Sequence, residues 1–263
     1  TLNLEINRKF EEVVRNYKNN LSINNRPIKE VNFFNNISNK KKKFIETILP
    51  LAINQNQKIL VQRQKLIEIK NYLNINKSLT KEHQRFYEKL VSQYLIESKH
   101  RHKIDVIDDL LIRVDVIPNS IVLAQAANES GWGSSRFTKE YNALFGQYTY
   151  DSNAGVIPLR RNKGEKHLIK FFSSIDKSVE SYFTNINTHY AYSEFRKFRK
   201  LLRDQDHLYN PPHTSLLVNK LNVYADDSNY INIINSIINV NKLTQYDNPD
   251  YDIHHIYHYI HHT

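Results

Sequence analysis

Apolar residues recur along this chain at helical spacing, interrupted in one region. From Phe44 onward, Ile45, Ile48, Leu49, Ala52, Ile59, Leu60, Leu66 and Ile67 trace the stripe of a long helix. The basic residues between Lys58 and Lys70 fall mostly on its other face. Pro50 is expected to kink or divide that helix, because it lacks an N–H and crowds the preceding turn. Two further helices are expected between residues 80 and 114, one through Phe86, Leu90, Tyr94 and Leu95 and the next through Ile104, Ile107, Leu110 and Leu111. Thr80 is the candidate N-cap of the first. Helical spacing returns at Val179, Tyr182, Phe183 and Ile186, again at Phe195, Phe198 and Leu201, and finally at Tyr230, Ile234, Ile237 and Ile238. In between, Gly155, Pro158 and Gly164 separate the short β-prone runs 156–159 and 167–172, which read as a hairpin or small β-lobe. Residues 1–37 are Asn-rich with one weak pattern, Ile6, Phe10, Val13, Val14 and Tyr17, and are expected to form a loosely ordered arm.

The most informative stretch is 117–133. From Ile121 to Ala127 every residue is apolar or small except Gln125, which is too apolar all round for a surface helix and predicts a helix inside a domain. Pro118 suits its first turn, and Gly131 and Gly133 supply the stop. Glu129 then falls in the last turn, with Gln125 one turn behind on the same face. The helix C-terminus carries partial negative charge and burial disfavours an ionised carboxyl, so both effects raise the pKa of Glu129, as a general acid at neutral pH requires. A carboxylate that merely closes the helix by pairing with a base such as Arg136 is an equal alternative on these grounds.

Composition narrows the chemistry. The 263 residues contain no cysteine, which excludes disulfides, thiolate zinc sites and a cysteine nucleophile. No Gly-rich phosphate loop, Gly-x-Ser-x-Gly or His-Glu-x-x-His motif is present. Thirty-seven Lys and Arg against 27 Asp and Glu give a formal charge of +10, which suits an anionic partner or simply keeps the protein in solution. Clustered arginines with interleaved aromatics, zinc-finger spacing and RNA-binding signatures are lacking, so nucleic acid is not expected. The run Lys40–Lys43 reads as a solvated helix start. Five of the 12 histidines fall in 246–263; His254 and His258 are four apart, but a tail that binds metal only adventitiously is the better reading. No run approaches membrane-spanning length, and an export segment is expected upstream of Thr1.

The segment AQAANESGWGSSRF at 124–137, followed by NALFG at 142–146, resembles the catalytic segment of the glycoside hydrolase family 73 glucosaminidases. It is most similar to the Bax-type branch of bacterial cell-envelope proteins. LIRVDVIP at 111–118 and NTHYAY at 187–192 extend the resemblance, which covers about residues 40 to 240. It implies a mainly α protein with a small β-lobe (α+β), a lysozyme-like fold with an N-terminal helical extension and a cleft between the helical lobe and the β-lobe. The expected organisation is an arm at 1–37, a helical extension at 38–100, a glucosaminidase domain at 101–245 with its β-lobe at about 147–172, and a His/Tyr-rich tail at 246–263.

By resemblance the activity is an endo-β-N-acetylglucosaminidase acting on peptidoglycan in the periplasm or outside the cell, without metal or organic cofactor. The alternative is a catalytically silent, glycan-binding envelope protein. Glu129 takes the acid role. The second carboxylate has two candidates in the β-lobe, Asp151 and Glu165, although Glu165 follows Lys163-Gly164 and also reads as a charged hairpin tip. YADDSNY at 224–230 resembles the family's Tyr-Ala-Thr-Asp-Pro-x-Tyr segment with two replacements, and by that match Tyr224 reaches the cleft; its alternative is a tyrosine at the core edge. Tyr230 reads as the first apolar anchor of the last helix. Gln125, Asn142, Phe145 and Trp132 are the candidate substrate-binding residues. Asn142 suits an N-acetyl group and Phe145 the floor of the site. Trp132, the only tryptophan, either stacks on sugar or plugs the core beneath the site, the latter being favoured. Stereochemistry and oligomeric state are not legible.

Overall fold

A computed structural model describes residues 38–75, 77–158, 166–225 and 227–247. The expected N-terminal arm, Glu165 and nearly all of the histidine-rich tail lie outside them. Among the described residues the chain is mainly α with one small antiparallel sheet, as expected. The helices are α1 (Asn39–Asn74), α2 (Lys81–Gln93), α3 (Lys103–Arg113), α4 (Asn119–Ser130), α5 (Arg136–Tyr141), α6 (Ile175–Thr188), α7 (Ser193–Asp204), α8 (Pro211–Val218) and α9 (Tyr230–Val240). Strands β1 (Tyr148–Thr149), β2 (Gly155–Val156) and β3 (Leu168–Lys170) are ordered β1-β3-β2, with Tyr148 and Val156 both opposite Ile169. No described helix is long and apolar enough to cross a membrane.

Helix α4 is the centre of the body, packed by α1, α9 and the turn at Leu243–Tyr246. All of its residues are buried except Asn128 and Glu129. Ile121, Val122 and Leu123 are each no more than 1% exposed, a burial that stabilises the fold by roughly 1.5–3 kcal/mol per side chain. The N-terminus of α4 is closed from far along the chain. Asp247 accepts from the Ser120 amide at 2.8 Å and from its hydroxyl at 2.6 Å, placing a carboxylate at the positive end of the helix. Asn119 donates to the Tyr246 carbonyl at 2.8 Å. Tyr246 and Asp247, the first residues of the stretch expected as a tail, are thus buried against α4. From α1, the Asn56 amide pairs with both backbone groups of Ile117, donating at 2.8 Å and accepting at 3.0 Å. Thr80 caps α2 as expected, accepting from the His83 amide at 3.1 Å.

Three expectations change. Pro50 does not divide α1, which runs unbroken for 36 residues; buried Ile48, Leu49, Ala52 and Ile53 hold the helix on both sides of it. Leu201 is 48% exposed, and the inward face of α7 is instead Phe195, Arg196, Arg199 and Leu202. The lysine run is only partly solvated. Lys40 donates to the Gly131 carbonyl and Lys41 to the Asn241 side chain, both at 3.0 Å, so two ammonium groups meet the C-terminal ends of α4 and α9.

The same device recurs with arginines in the interior. Arg199 is fully buried and donates to the carbonyls of Ile112, Asp115 and Val116 at 3.0, 3.1 and 2.9 Å, and to Asn187 Oδ1 at 2.8 Å. Burial pulls its pKa down to about 10, while the neighbouring Asp115 pushes the other way, and it remains a cation at neutral pH. Asp115, 1% exposed, accepts from Arg203 Nε at 2.6 Å and has Arg63 at 3.6 Å. Arg196 takes the carbonyls of Ile186 and His189 at the end of α6. Arg199→Ala leaves these buried acceptors without a donor while Asp115 keeps Arg203 and Arg63, and is expected to destabilise the protein by about 3–5 kcal/mol and lower Tm by on the order of 10 °C. Thermal unfolding followed by circular dichroism checks this; an unchanged Tm contradicts it.

Candidate active site

The buried run of α4 ends in a left-handed turn. Gly131 takes φ +58°, and the Trp132 amide returns to the Ala127 carbonyl at 2.9 Å. The turn leaves Glu129 half-buried at the point where α4 reaches the surface. Burial pushes the Glu129 carboxyl above its ordinary range. Two hydrogen bonds to the carboxylate, from Asn128 Nδ2 at 3.1 Å and from the Tyr230 hydroxyl, oppose that shift without cancelling it. The alternative partner is taken elsewhere: Arg136 pairs with Glu140 at 3.3 Å, and among the described residues no ion pair involves Glu129.

Behind the carboxyl lies a chain of buried hydrogen bonds with a fixed direction. The Tyr182 hydroxyl donates to Gln125 Oε1, Gln125 Nε2 donates to the Tyr230 hydroxyl at 2.8 Å, and Tyr230 donates to Glu129. Gln125 has no exposed surface, so the structure places it beneath the site, with both ends of its amide used by protein. Each donor in the chain has one acceptor, which fixes the orientation of the amide.

The other wall comes from the segment 142–146 and from two tyrosines. Gly146 has φ +60°, and a methyl group there would meet Glu129 Oε2 at 3.4 Å, so the backbone runs directly beside the carboxylate. Tyr224 is half-buried, donates to the Phe145 carbonyl at 3.2 Å and lies nearly parallel to Tyr230, ring centres 5.7 Å apart and planes at 9°. Tyr192 stands 6.1 Å from Tyr224. Burial raises all four hydroxyl pKa values above the ordinary tyrosine value, Tyr192 to about 12, and the Glu129 charge adds to the shift in each. The four rings therefore stay neutral at neutral pH. They act as donors and acceptors around one carboxyl, not as bases.

The remaining sequence candidates are dispersed. The Phe145 ring is 2% exposed and stacked on Tyr182 at 4.0 Å, so its carbonyl and not its ring faces Tyr224. Asn142 ends α5 with φ +54° and donates to the Phe172 carbonyl at 2.9 Å, tying the helix to the β-lobe. Trp132 packs against the start of α1, edge-on to Phe44 at 5.5 Å and with the Lys41 ammonium 4.7 Å above its ring. Asp151 is exposed in the turn after β1. Its carboxylate accepts the Asn153 amide at 2.9 Å, and it is not among the groups that perturb Glu129. Tyr182, Tyr192 and the hydroxyl of Tyr230 were not singled out from the sequence as site groups. Tyr192 closes the 187–192 stretch, the one signal that pointed at it.

The raised pKa has a consequence for stability. A carboxyl whose folded pKa lies above its unfolded value favours the native state fully below the unfolded value, near 4.5, and loses that contribution as pH rises through the folded pKa. Glu129→Gln removes the penalty. The variant is expected to melt at or above the wild-type temperature at pH 8, with the difference fading towards pH 4. A variant less stable than wild type at pH 8 alone would contradict the desolvated carboxyl.

Comparison with known proteins supplies the context. The family model described as mannosyl-glycoprotein endo-beta-N-acetylglucosaminidase matches residues 104–243, more than half of the chain and every residue of the Glu129 cluster. Protein bax of Escherichia coli (strain K12) is 38% identical over 168 residues, 64% of this chain and 58% of that protein, so the chain spans less than two thirds of its length. Among solved structures, the catalytic domain of the autolysin Auto from Listeria monocytogenes aligns over 80% of this chain and 88% of its own, with 18% identity and a TM-score of 0.45.

Proposed function

The chain belongs to the glucosaminidase family, and we propose that it is a cell-envelope hydrolase that cuts the β-1,4 bond after N-acetylglucosamine in peptidoglycan, with Glu129 as the proton donor. The observation that carries this reading is the half-buried carboxyl at the end of α4, raised in pKa by burial and held by Asn128 and Tyr230. Such a group keeps its proton closer to neutral pH and delivers it to a glycosidic oxygen as the bond breaks. At Gly146 the backbone approaches the carboxylate without a side chain, where a Cβ would stand 3.4 Å from Glu129 Oε2.

The second catalytic role is assigned to the substrate. The 2-acetamido carbonyl of N-acetylglucosamine attacks the anomeric carbon, the aglycone oxygen leaves with the proton of Glu129, and water then opens the cyclic intermediate. Tyr224, neutral and beside Glu129, polarises or holds the acetamido group as charge develops on it. The exposed, turn-shaping position of Asp151 supports this route over that carboxylate.

Digestion of purified peptidoglycan tests the proposal, with the new saccharide ends identified by mass spectrometry after reduction and their anomeric configuration read by NMR on unreduced product before mutarotation. Wild type is expected to release N-acetylglucosamine reducing ends of β configuration. Glu129→Gln should lose on the order of 10²–10⁴ in rate while still binding the wall. Tyr224→Phe should lose much of the activity and Asp151→Asn little. Wild-type turnover in Glu129→Gln refutes the proton donor. An inverted anomer, or collapse in Asp151→Asn, refutes the substrate-assisted route. Wall binding without any new ends from wild type would identify a silent glycan-binding protein.

A further inference from the structure

The end of α1 remote from Glu129 carries a second feature. Lys40, at one end of this helix, bonds Gly131 close to Glu129, and Leu73, at the other, lies roughly 50 Å further along at 1.5 Å per residue. There the end of α1 and the starts of α2 and α3 border an open groove of about 760 Å³. Leu73 and Leu79 give it apolar walls, and Lys77, Lys81, Arg85 and Lys103 line it with four exposed cations. Among the described residues no carboxylate lines it. The nearest acid of α2, Glu82, is engaged with Lys65 at 2.7 Å.

The arrangement inverts what the rest of the protein does with its basic residues. Lys40 and Lys41 also begin a helix, but the ends of α4 and α9 take up their ammonium groups. Lys81 and Lys103 are the first residues of α2 and α3, where the positive ends of two helix dipoles already repel a cation. Among the described residues Lys81 and Arg85 have no hydrogen-bond or ion-pair partner, and Lys103 reaches only the neutral Gln84, at 2.8 Å. Four cations and two helix N-termini converge on one concavity, where the acids in the first turns of α2 and α3 are Glu82, paired with Lys65, and the exposed Asp105, so that among the described residues positive charge is in excess.

We propose that this groove binds the carboxylate-bearing stem peptides of peptidoglycan and attaches the protein to its polymer away from the bond being cut. The proposal rests on the substrate assigned above. Charge complementarity selects an acidic ligand, and the apolar walls suit a narrow peptide that alternates carboxylates with small apolar side chains. Arg85 offers a fork for a carboxylate, and Lys81 and Lys103 offer point charges on either side. Attachment through the groove raises the local concentration of glycan at Glu129 without any contact to the scissile bond.

Co-sedimentation with insoluble sacculi tests it, using Glu129→Gln as the parent so that the wall is not digested. The measurement is made at low ionic strength on intact sacculi and on sacculi stripped of stem peptides by an amidase. Adding Lys81→Glu and Arg85→Glu is expected to weaken retention on intact sacculi by on the order of tenfold and to change nothing on stripped ones. The milder Arg85→Gln should lose part of the retention. A control of equal net charge, Lys139→Glu with Lys197→Glu, should behave as the parent, and melting curves confirm that all variants fold. Undiminished retention of the double variant overturns the proposal. So does an equal loss in the control, equal binding of the parent to stripped and intact sacculi, or groove-dependent binding to anionic phospholipid vesicles instead of sacculi. Hydrolysis by the wild type is scored separately: groove-dependent retention without cleavage supports the groove and refutes the hydrolase reading.

Discussion

The guanidinium of Arg199, with no exposed surface, lies across the carbonyls that close α3 and lead into α4, and the rest of the described body is arranged around that contact. The last carbonyls of any helix lack partners within it. Here they are met by side chains that reach in from other helices: Arg63 and Arg199 at the end of α3, Arg196 at the end of α6, Lys40 at the end of α4. Removing a guanidinium from water costs several kcal/mol. Around Arg199 that penalty is offset by charge-assisted hydrogen bonds to five acceptors and by the nearby Asp115 carboxylate. Part of the basic surplus is therefore internal and structural. The groove cations at the starts of α2 and α3 belong to a different class, because no helix end receives them.

Fixing the path from α3 into α4 fixes where Glu129 emerges. Asn56 and Asp247 hold the beginning of α4, its apolar middle fills the core, and Gly131 ends it where the carboxyl is half-buried. The site then needs little more than a few neutral hydroxyls. Gln125 passes one hydrogen-bond direction from Tyr182 through Tyr230 to Glu129, and Gly146 keeps the space beside the carboxylate free of a side chain. Burial that raises the Glu129 pKa makes the ionised form unfavourable in the folded state, so the site trades stability above the carboxyl range for a retained proton.

Much of this was legible in the sequence because helical period and glycine position are local signals. The apolar run 121–127, the Gly131 stop and the shared face of Gln125 and Glu129 stand in the structure as read. The interior arginines were not legible. Periodicity assigns arginine to the surface, and so it placed Leu201 inward on α7 where Arg196 and Arg199 are buried. Tyr230 shows a related blindness: its ring anchors α9 as expected, but the partner of its hydroxyl depends on which helix lies opposite. Asp247 was invisible for the same reason, since its carboxylate caps a helix that begins 128 residues earlier at Asn119. The strands of the β-lobe are only two or three residues long, too short for an alternating pattern to set their limits.

The claim on which the account turns is that burial, opposed by Tyr230 and Asn128, sets the protonation of the Glu129 carboxyl. The pH dependence of kcat/KM for glycan cleavage tests it most directly when wild type is compared with Tyr230→Phe. The account requires a descending limb with a midpoint above the ordinary carboxyl value of 4.5, moved to still higher pH in Tyr230→Phe because a donor to the carboxylate is lost. A descending limb at the ordinary value, or one that Tyr230→Phe leaves in place, would contradict it.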